Sequence, residues 1–214
     1  CDWSSDVCSS DLGNMAFTCL MIVGSTKAPR RTLTELLAYG KANPGKLTIG
    51  GSNPLTRITA EYLMRLSGTQ MLWVTYQGAQ QTSQALFNGD LDLSISASVP
   101  YASYIKEGRM LGLATTSPKR EPRVPDMPTV REAGYAPLEG CGWLAIFAPA
   151  GTPRPVVDRL NGELGKALKV PEVSEKLSGV GLDPSHSTPE ELGALLKKDF
   201  AKWGPLIKSL NVSN

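Results

Sequence analysis

The sequence has few of the residues that enzymes and metal sites need. Its 214 residues include a single histidine, His186, in a polar, turn-like segment, and four cysteines without a Cys-x-x-Cys pair. A zinc site needs three or four closely spaced Cys, His or acidic ligands, and a Ser-His-Asp hydrolase needs a histidine that serves a nucleophile turn. We therefore expect no enzyme activity, no metal and no other cofactor.

The chain also lacks a block of like charge and a long apolar run. Its formal net charge is only +2, and Lys and Arg are spread along the sequence, which argues against nucleic-acid binding. The longest apolar run covers residues 17–23, which is strand length and far too short to span a bilayer. With 41% hydrophobic and 20% charged residues, the composition is typical of a globular α/β protein.

The first twelve residues differ from the rest of the chain. Residues 1–12 repeat Ser-Ser-Asp and show neither helical nor strand periodicity, so we expect them not to pack. They resemble the translated reading frame of a short-read sequencing adapter, which predicts a non-native segment and a natural protein truncated near Gly13, without its export signal. The alternative is a lipoprotein whose Cys1 carries a lipid anchor.

The remaining sequence alternates strand and helix patterns. The apolar spacing predicts strands at residues 17–23, 47–49, 71–76, 92–96, 110–115 and 141–148, and helices at residues 33–42, 54–66, 79–87, 154–168 and 189–210. This alternation is typical of an α/β fold on a parallel sheet, whose ligands bind at the carboxyl ends of the strands. Three such ends carry polar loops, at residues 50–53, 76–79 and 96–98.

The first of these loops has the features of an anion site. Gly50 and Gly51 follow a short strand, and Asn53 and Pro54 are an N-cap and a first helical residue. Such a turn presents unpaired N–H groups and the positive end of a helix dipole to an anion. The predicted donors are the amides near Ser52, Asn53, Leu55 and Thr56, with the hydroxyls of Ser52 and Thr56. No base or nucleophile lies beside them, so binding is favoured over catalysis; an ordinary capped helix is the alternative.

Six motifs carry a family resemblance. They lie at residues 44–47, 76–79, 88–93, 125–134, 147–153 and 187–191. Their order and spacing resemble the Bug family, the substrate-binding receptors of tripartite tricarboxylate transporters, from about Phe17 to the C-terminus. The most specific is the Pro-Asp-x-Pro-Thr-x-x-Glu-Ala-Gly stretch at residues 125–134.

The resemblance implies a periplasmic, monomeric Venus-flytrap receptor with a type II periplasmic-binding-protein fold. Such a receptor captures a small carboxylate and delivers it to integral-membrane transporter subunits. The implied layout places the end of the first lobe and a crossing strand at residues 13–29, the second lobe at residues 30–138, and the return to an incomplete first lobe at residues 139–214. Both lobes are expected to contain mostly parallel sheets.

The resemblance, together with the three polar loops, also assigns ligand-binding residues. They are Gly51, Ser52, Asn53, Thr56, Tyr76, Gly78, Ala79, Ser96 and Ala97. Family members often have an acidic or amide pair where this chain has Ser96 and Ala97, and a proline and a lysine where it has Thr75 and Gln77. Without an acidic partner for an ammonium group, a di- or tricarboxylate or an aromatic acid is favoured over an amino acid.

A protein of another class can share this two-lobed fold, because fold alone does not determine function. The alternative is the effector-sensing domain of a transcription regulator. A helix-turn-helix before the first lobe would indicate the regulator, and a cleavable export signal in the complete gene would indicate the receptor.

Overall fold

The structure is a computed structural model that describes residues 9–97 and 99–210. The strands are β1 (Ser9–Ser25), β2 (Thr48–Gly51), β3 (Leu72–Thr75), β4 (Leu93–Ala97), β5 (Met110–Thr115), β6 (Cys141–Pro149) and β7 (Asp183–Pro184). The helices are α1 (Leu33–Ala42), α2 (Pro54–Ser67), α3 (Ala79–Asn88), α4 (Val99–Lys106), α5 (Arg154–Leu168), α6 (Pro171–Gly179) and α7 (Pro189–Leu210), with a 3₁₀ turn at Ala136–Leu138.

The chain divides into two compact units. Residues 9–18 and 143–210 form the terminal unit, and residues 19–97 and 99–142 belong to the central unit. The chain therefore passes between the units twice, once within β1 and once within β6. None of the helices in the described ranges has the length and apolar character needed to cross a membrane.

The sheet of the central unit has the strand order β3-β2-β4-β1-β5. Strand β2 runs parallel to β3 and β4, which follow it through the crossover helices α2 and α3. Strand β1 lies between β4 and β5 and is antiparallel to both. The predicted α/β fold is confirmed. Strands β2, β3, β4 and β5 run in one direction, as expected for a mostly parallel sheet, and β1 is the antiparallel strand in this order.

Both faces of this sheet are covered by helices. Along β1 the side chains alternate, so that Ile22 points to one face and Met21 and Val23 to the other. The first face packs against α1 and α2 through residues that include Leu36, Ile49, Leu63, Leu93 and Ile95. The second face packs against α3 and α4 through residues that include Leu86, Leu91 and Tyr101. Strands β2 and β4, which precede two of the polar loops, are thus largely buried between helices on both faces.

The family-specific segment at residues 125–134 has a structural role in the central unit. The Thr115 N–H, at the end of β5, donates to the carbonyl of Pro128 (2.9 Å), so the segment covers part of an edge strand. The Glu132 carboxylate caps the turn and accepts from Arg120 Nε at 3.0 Å. This hydrogen bond lowers the pKa of the Glu132 carboxyl below its usual value. The segment is thus an ordered cover for the sheet edge.

The start of β1 corrects one prediction from the sequence. Residues 9–12 belong to β1, and the Leu12 side chain is buried. The Leu12 carbonyl accepts a hydrogen bond from Asn161 Nδ2 on α5 (2.8 Å), and the same amide donates to the Ser187 carbonyl (2.8 Å). The expectation that residues 1–12 do not pack is therefore wrong for residues 9–12, because a buried leucine and a paired backbone tie them to α5. Residues 1–8 lie outside the described residues.

Helix α5 also fixes the single histidine. The His186 Nε2 atom lies 3.1 Å from the Asn161 carbonyl oxygen, and the ring rests against Gly165. A Cβ atom on Gly165 would approach the imidazole Cε1 and Nε2 to 3.0 Å. At Gly162, one helical turn away, no neighbouring atom of residues 9–97 and 99–210 lies within 4 Å of such a Cβ.

This pair of glycines permits a matched test of packing. We expect Gly162→Ala to raise the free energy of unfolding by about 0.5–1 kcal/mol, because alanine is the better helix former. Gly165→Ala has the same helical gain but must displace the His186 ring, so it should be destabilising by about 1 kcal/mol. Urea unfolding of both variants measures the difference. Equal stability of the two variants would show that the ring moves aside freely.

Candidate carboxylate-binding site

The predicted ligand loops meet at one edge of the central sheet. In the parallel ladders Gly51 pairs with Thr75, and Gly50 pairs with Ser94. Continued by one and two residues, this register places Ser52 level with Tyr76 and with Ser96. The structure therefore brings the loops after β2, β3 and β4 together at the carboxyl ends of the three parallel strands.

The turn after β2 is shaped by its own hydrogen bonds. The Asn53 side chain accepts from the Thr56 N–H at 3.0 Å, and the Thr56 hydroxyl accepts from the Asn53 N–H at 3.3 Å. The same hydroxyl donates to the Asn53 carbonyl at 2.7 Å. This is a reciprocal capping box. It occupies two of the four amides that the sequence suggested as open donors, those of Asn53 and Thr56, and it fixes the start of α2.

The same turn leaves other donors open. In the part of the chain that the structure describes, the N–H groups of Ser52 and Leu55 have no hydrogen-bond partner, and the Ser52 hydroxyl has none either. Both residues lie within the first turn of α2 or just before it, where the helix dipole favours negative charge. Ser52 is half-buried and Leu55 is exposed. A carboxylate above this turn can accept from all three groups.

The open turn depends on Gly51. A Cβ atom at this position would lie 2.8 Å from the Thr56 Cβ and 2.9 Å from the Trp73 Cη2. Trp73 is held in place by a hydrogen bond from its Nε1 to the Thr75 hydroxyl (2.9 Å), and the Arg57 guanidinium lies 5.9 Å from its ring centre. Only glycine lets the backbone pass between the capping threonine and the indole.

The loop after β3 provides a second open helix terminus. Helix α3 begins after Gly78, which has an extended backbone and no side chain to cap the helix. Among residues 9–97 and 99–210, no acceptor lies opposite the N–H groups of Ala79 and Gln80. A Cβ atom on Gly78 would meet no atom of the described residues within 4 Å. As far as the described residues go, the α3 terminus is accessible.

Tyr76 enters the site through its backbone. Its N–H donates to the Gly51 carbonyl at 3.0 Å and so joins the ends of β2 and β3. Its ring packs over Gly50 and near Leu91, on the face of the sheet that carries α3. Burial, and then the charge of Asp90, raises the pKa of the phenol. The ring is therefore part of the packing below the loops.

Ser96 and Ala97 complete the edge. They pair with Met21 and Leu20 of β1 and are half-buried. In the described part of the molecule the Ser96 hydroxyl has no hydrogen-bond partner, so it is available to a ligand. None of the nine predicted ligand residues carries a charge. An anion here would be held by N–H groups, hydroxyls and two helix dipoles, without a lysine or arginine among the nine.

Sequence reasoning missed two features near the site. One is the position of Trp73 and Arg57 beside Gly51, which no motif indicates. The other is a disulfide between Cys19 and Cys141, separated by 122 residues. Its half-cystines have no close spacing in the sequence, so only their neighbouring positions in β1 and β6 identify the pair. Within the described residues, no cluster of three His, Cys, Asp or Glu side chains could hold a metal ion.

Comparison with known proteins assigns the chain to a group of relatives. A family model described as the tripartite tricarboxylate transporter family receptor matches residues 2–212. A protein in the tcbD-tcbE intergenic region of Pseudomonas sp. strain P51 is 35% identical over 180 residues, which are 83% of this chain and 54% of that protein. The chain thus spans little more than half the length of that relative.

Solved structures share the fold. The periplasmic binding protein BugD has a TM-score of 0.80 and 28% identity, with 96% of this chain and 70% of BugD covered. R. palustris Rpa4515, solved with adipate, has a TM-score of 0.81, and the match covers 95% of this chain and 69% of the Rpa4515 chain. Because this chain and Rpa4515 are only 23% identical, their similarity shows a shared fold and nothing more. The predicted periplasmic-binding-protein fold is confirmed.

Proposed function

Because the chain belongs to the tripartite tricarboxylate transporter receptor family, the Bug family, we propose that it is a solute receptor that binds a small carboxylate. The observation that carries the proposal is the edge of the central sheet. There the neighbouring strands β2 and β3 each lead into a helix N-terminus with N–H groups that have no partner among the described residues. In the same proposal the receptor delivers its ligand to integral-membrane transporter subunits and acts as a monomer. Neither nucleic acid nor a cofactor takes part.

The open donors suit a carboxylate by chemistry and position. One carboxylate oxygen would accept from the Ser52 N–H and hydroxyl, and the other from the Leu55 N–H. Hydrogen bonds to an ionised group are each worth about 1.5–3 kcal/mol, roughly twice the neutral value. Gly51 and the capping box of Asn53 and Thr56 would hold these donors in place, so they contribute to binding through the shape of the turn.

The second helix terminus bears on the ligand class. The N–H groups of Ala79 and Gln80 could receive a second acidic group, and the Ser96 hydroxyl could donate to it. No acidic side chain among the nine residues could pair with an ammonium group. This favours a di- or tricarboxylate or an aromatic acid over an amino acid. Adipate, which Rpa4515 holds, is a suitable first probe.

The cysteines bear on the compartment. A buried or half-buried pair of cysteines persists as a disulfide in an oxidising environment, such as the bacterial periplasm, and is kept reduced in the cytosol. The Cys19–Cys141 bridge therefore supports an exported protein, in agreement with BugD, a periplasmic binding protein. We propose a periplasmic location, reached through an export signal.

The binding proposal is tested at Ser52. We expect Ser52→Ala to weaken adipate, malate or citrate binding about tenfold, because it removes one charge-assisted hydrogen bond of roughly 1.4 kcal/mol or more. Isothermal titration calorimetry on the oxidised protein gives the affinities. Ser178→Ala, on exposed α6 of the terminal unit, is the matched control and should bind like the wild type.

A second variant and the fate of the ligand complete the test. Thr56→Val breaks the capping box and should also weaken binding about tenfold, while it lowers the free energy of unfolding by about 1 kcal/mol. The ligand should be recovered chemically unchanged, in the wild type and in His186→Ala alike. Wild-type affinity in both Ser52→Ala and Thr56→Val would place the site elsewhere, and a wild type that binds no carboxylate would contradict the proposed function.

A further inference from the structure

The disulfide lies where the chain passes between its two units. Cys19 is the first residue of the central unit after β1 leaves the terminal unit, and Cys141 is followed by Gly142, the last residue before the chain returns. The two Cα atoms are 4.2 Å apart. The bridge therefore ties together the two ends of the central unit.

A buried threonine bonds to the residues next to both cysteines. The Thr116 hydroxyl accepts from the Leu20 N–H at 2.9 Å, and the Thr116 N–H donates to the Leu20 carbonyl at 2.8 Å. The Thr116 carbonyl accepts from the Gly140 N–H at 3.0 Å. Leu20 and Gly140 are the direct neighbours of Cys19 and Cys141. Thr116 is fully buried, so water does not compete for these bonds.

This clamp, Cys19, Thr116 and Cys141, acts on the ligand edge through Leu20. In the ladder between β1 and β4, Leu20 pairs with Ala97 and Met21 with Ser96. On the other side of β4 the pairing with β2 ends at Ser94. Among the described residues, β1 is thus the strand neighbour that holds Ser96 and Ala97 in place.

We propose that the clamp positions the carboxyl end of β4 for the ligand, so that the disulfide and the Thr116 hydroxyl set the affinity without contacting the ligand. The effect of the clamp on affinity rests on the proposed function. The effect of the clamp on the position of β4 rests on the β1–β4 ladder alone. Loss of the clamp frees Leu20 to move and lets Ser96 and Ala97 follow it. Displacement of the Ser96 hydroxyl forfeits about one hydrogen bond, which corresponds to a roughly tenfold weaker affinity.

The test combines two ways of opening the clamp with two readouts. Cys19→Ser with Cys141→Ser removes the bridge, and Thr116→Val removes the acceptor for the Leu20 N–H. Dithiothreitol opens the bridge in the wild type, giving two thiols while the reagent is oxidised to its cyclic disulfide. Hydrogen exchange of residues 93–97 should accelerate at least about tenfold in each case, and adipate affinity should fall about tenfold.

The controls separate a positional effect from a general loss of stability. Thr48→Ala removes the two hydrogen bonds that the Thr48 hydroxyl makes with Asp92 at the opposite end of β2 and β4, and it should change adipate affinity less than twofold. Thr116→Ser keeps a hydroxyl and should restore most of the protection and affinity that Thr116→Val loses. The comparison of Thr116→Ser with Thr116→Val tests the clamp even if the double cysteine variant does not fold.

Each outcome decides the matter. Exchange at residues 93–97 that stays at the wild-type rate in reduced protein and in Thr116→Val overturns the clamp, whether or not the protein binds adipate. Faster hydrogen exchange at residues 93–97 with unchanged adipate affinity shows that the clamp has no role in binding, and it leaves the proposed receptor function in place. Faster exchange in a protein that binds no carboxylate, oxidised or reduced, would refute the proposed function and keep the clamp as a support for β4 alone.

Discussion

Replacing Gly51 with valine is expected to reduce carboxylate affinity by about a hundredfold or more. The backbone at Gly51 passes within van der Waals distance of Thr56 and Trp73, and even a methyl group would approach their carbon atoms to 2.8 and 2.9 Å. A branched side chain must therefore push the capping threonine away from Asn53 or shift the β2 end. Either movement misplaces the Ser52 and Leu55 donors together, so two or more charge-assisted hydrogen bonds are lost.

The same substitution should lower the free energy of unfolding by about 1–3 kcal/mol, the usual cost of overpacking. Calorimetry with adipate and urea unfolding measure the two effects. Gly162→Val, on an exposed face of α5 where a Cβ meets no neighbour, is the control for placing valine at a glycine position and should retain binding. If Gly51→Val binds adipate within threefold of the wild type, the turn after β2 is not the site.

Loss of the disulfide should have the largest effect on stability. The bridge closes a loop of 122 residues. Because a cross-link of this length lowers the conformational entropy of the unfolded chain, it should stabilise the folded state by about 5 kcal/mol. We expect Cys19→Ser with Cys141→Ser to lower the free energy of unfolding by about this amount. That is a large part of the stability of a typical domain.

Reduction of the wild type serves as the matched control. Guanidinium unfolding should give the reduced wild type nearly the same midpoint as the double variant in either redox state, and the oxidised wild type a clearly higher one. The variant itself should not respond to dithiothreitol. A wild type whose midpoint is independent of reductant would mean that the bridge contributes nothing to stability.

Local sequence signals were sufficient for the five helices that the sequence predicted. The apolar spacing predicted a helix at residues 33–42, and in the structure a capping box of Thr32 and Glu35 starts α1, with the Glu35 N–H 3.3 Å from the Thr32 hydroxyl. Asn53 and Pro54 likewise predicted the start of α2. Caps are contacts between residues three apart, so their geometry is encoded within one turn of the chain.

Long-range pairing could not be predicted in the same way. The direction of β1 depends on which strands lie beside it, and β4 and β5 are about seventy to ninety residues further along the chain. An apolar run alone does not show whether a strand is parallel or antiparallel. The pairing of Cys19 with Cys141 has the same origin, because four cysteines allow several pairings.

At the candidate site, the structure has the predicted turn, and this turn occupies two of the four amides that the sequence suggested as donors. The strand, glycine and cap pattern correctly placed a turn at Gly51 to Thr56, at an edge shared with Ser96. Whether a given N–H is open depends on side-chain rotamers, however. The Asn53 and Thr56 side chains turn back onto each other's amides, and the turn's N–H groups without a partner in the described part of the chain are those of Ser52 and Leu55.

The bridge between Cys19 and Cys141 also changes what a protease can do to this protein. With both ends of the central unit covalently joined, a single cut anywhere within residues 20–140 leaves one connected molecule. A nicked chain should migrate near its full mass on a gel run without reductant and separate into two fragments when reductant is added. One cut in an exposed loop therefore cannot release the strands that carry the ligand loops.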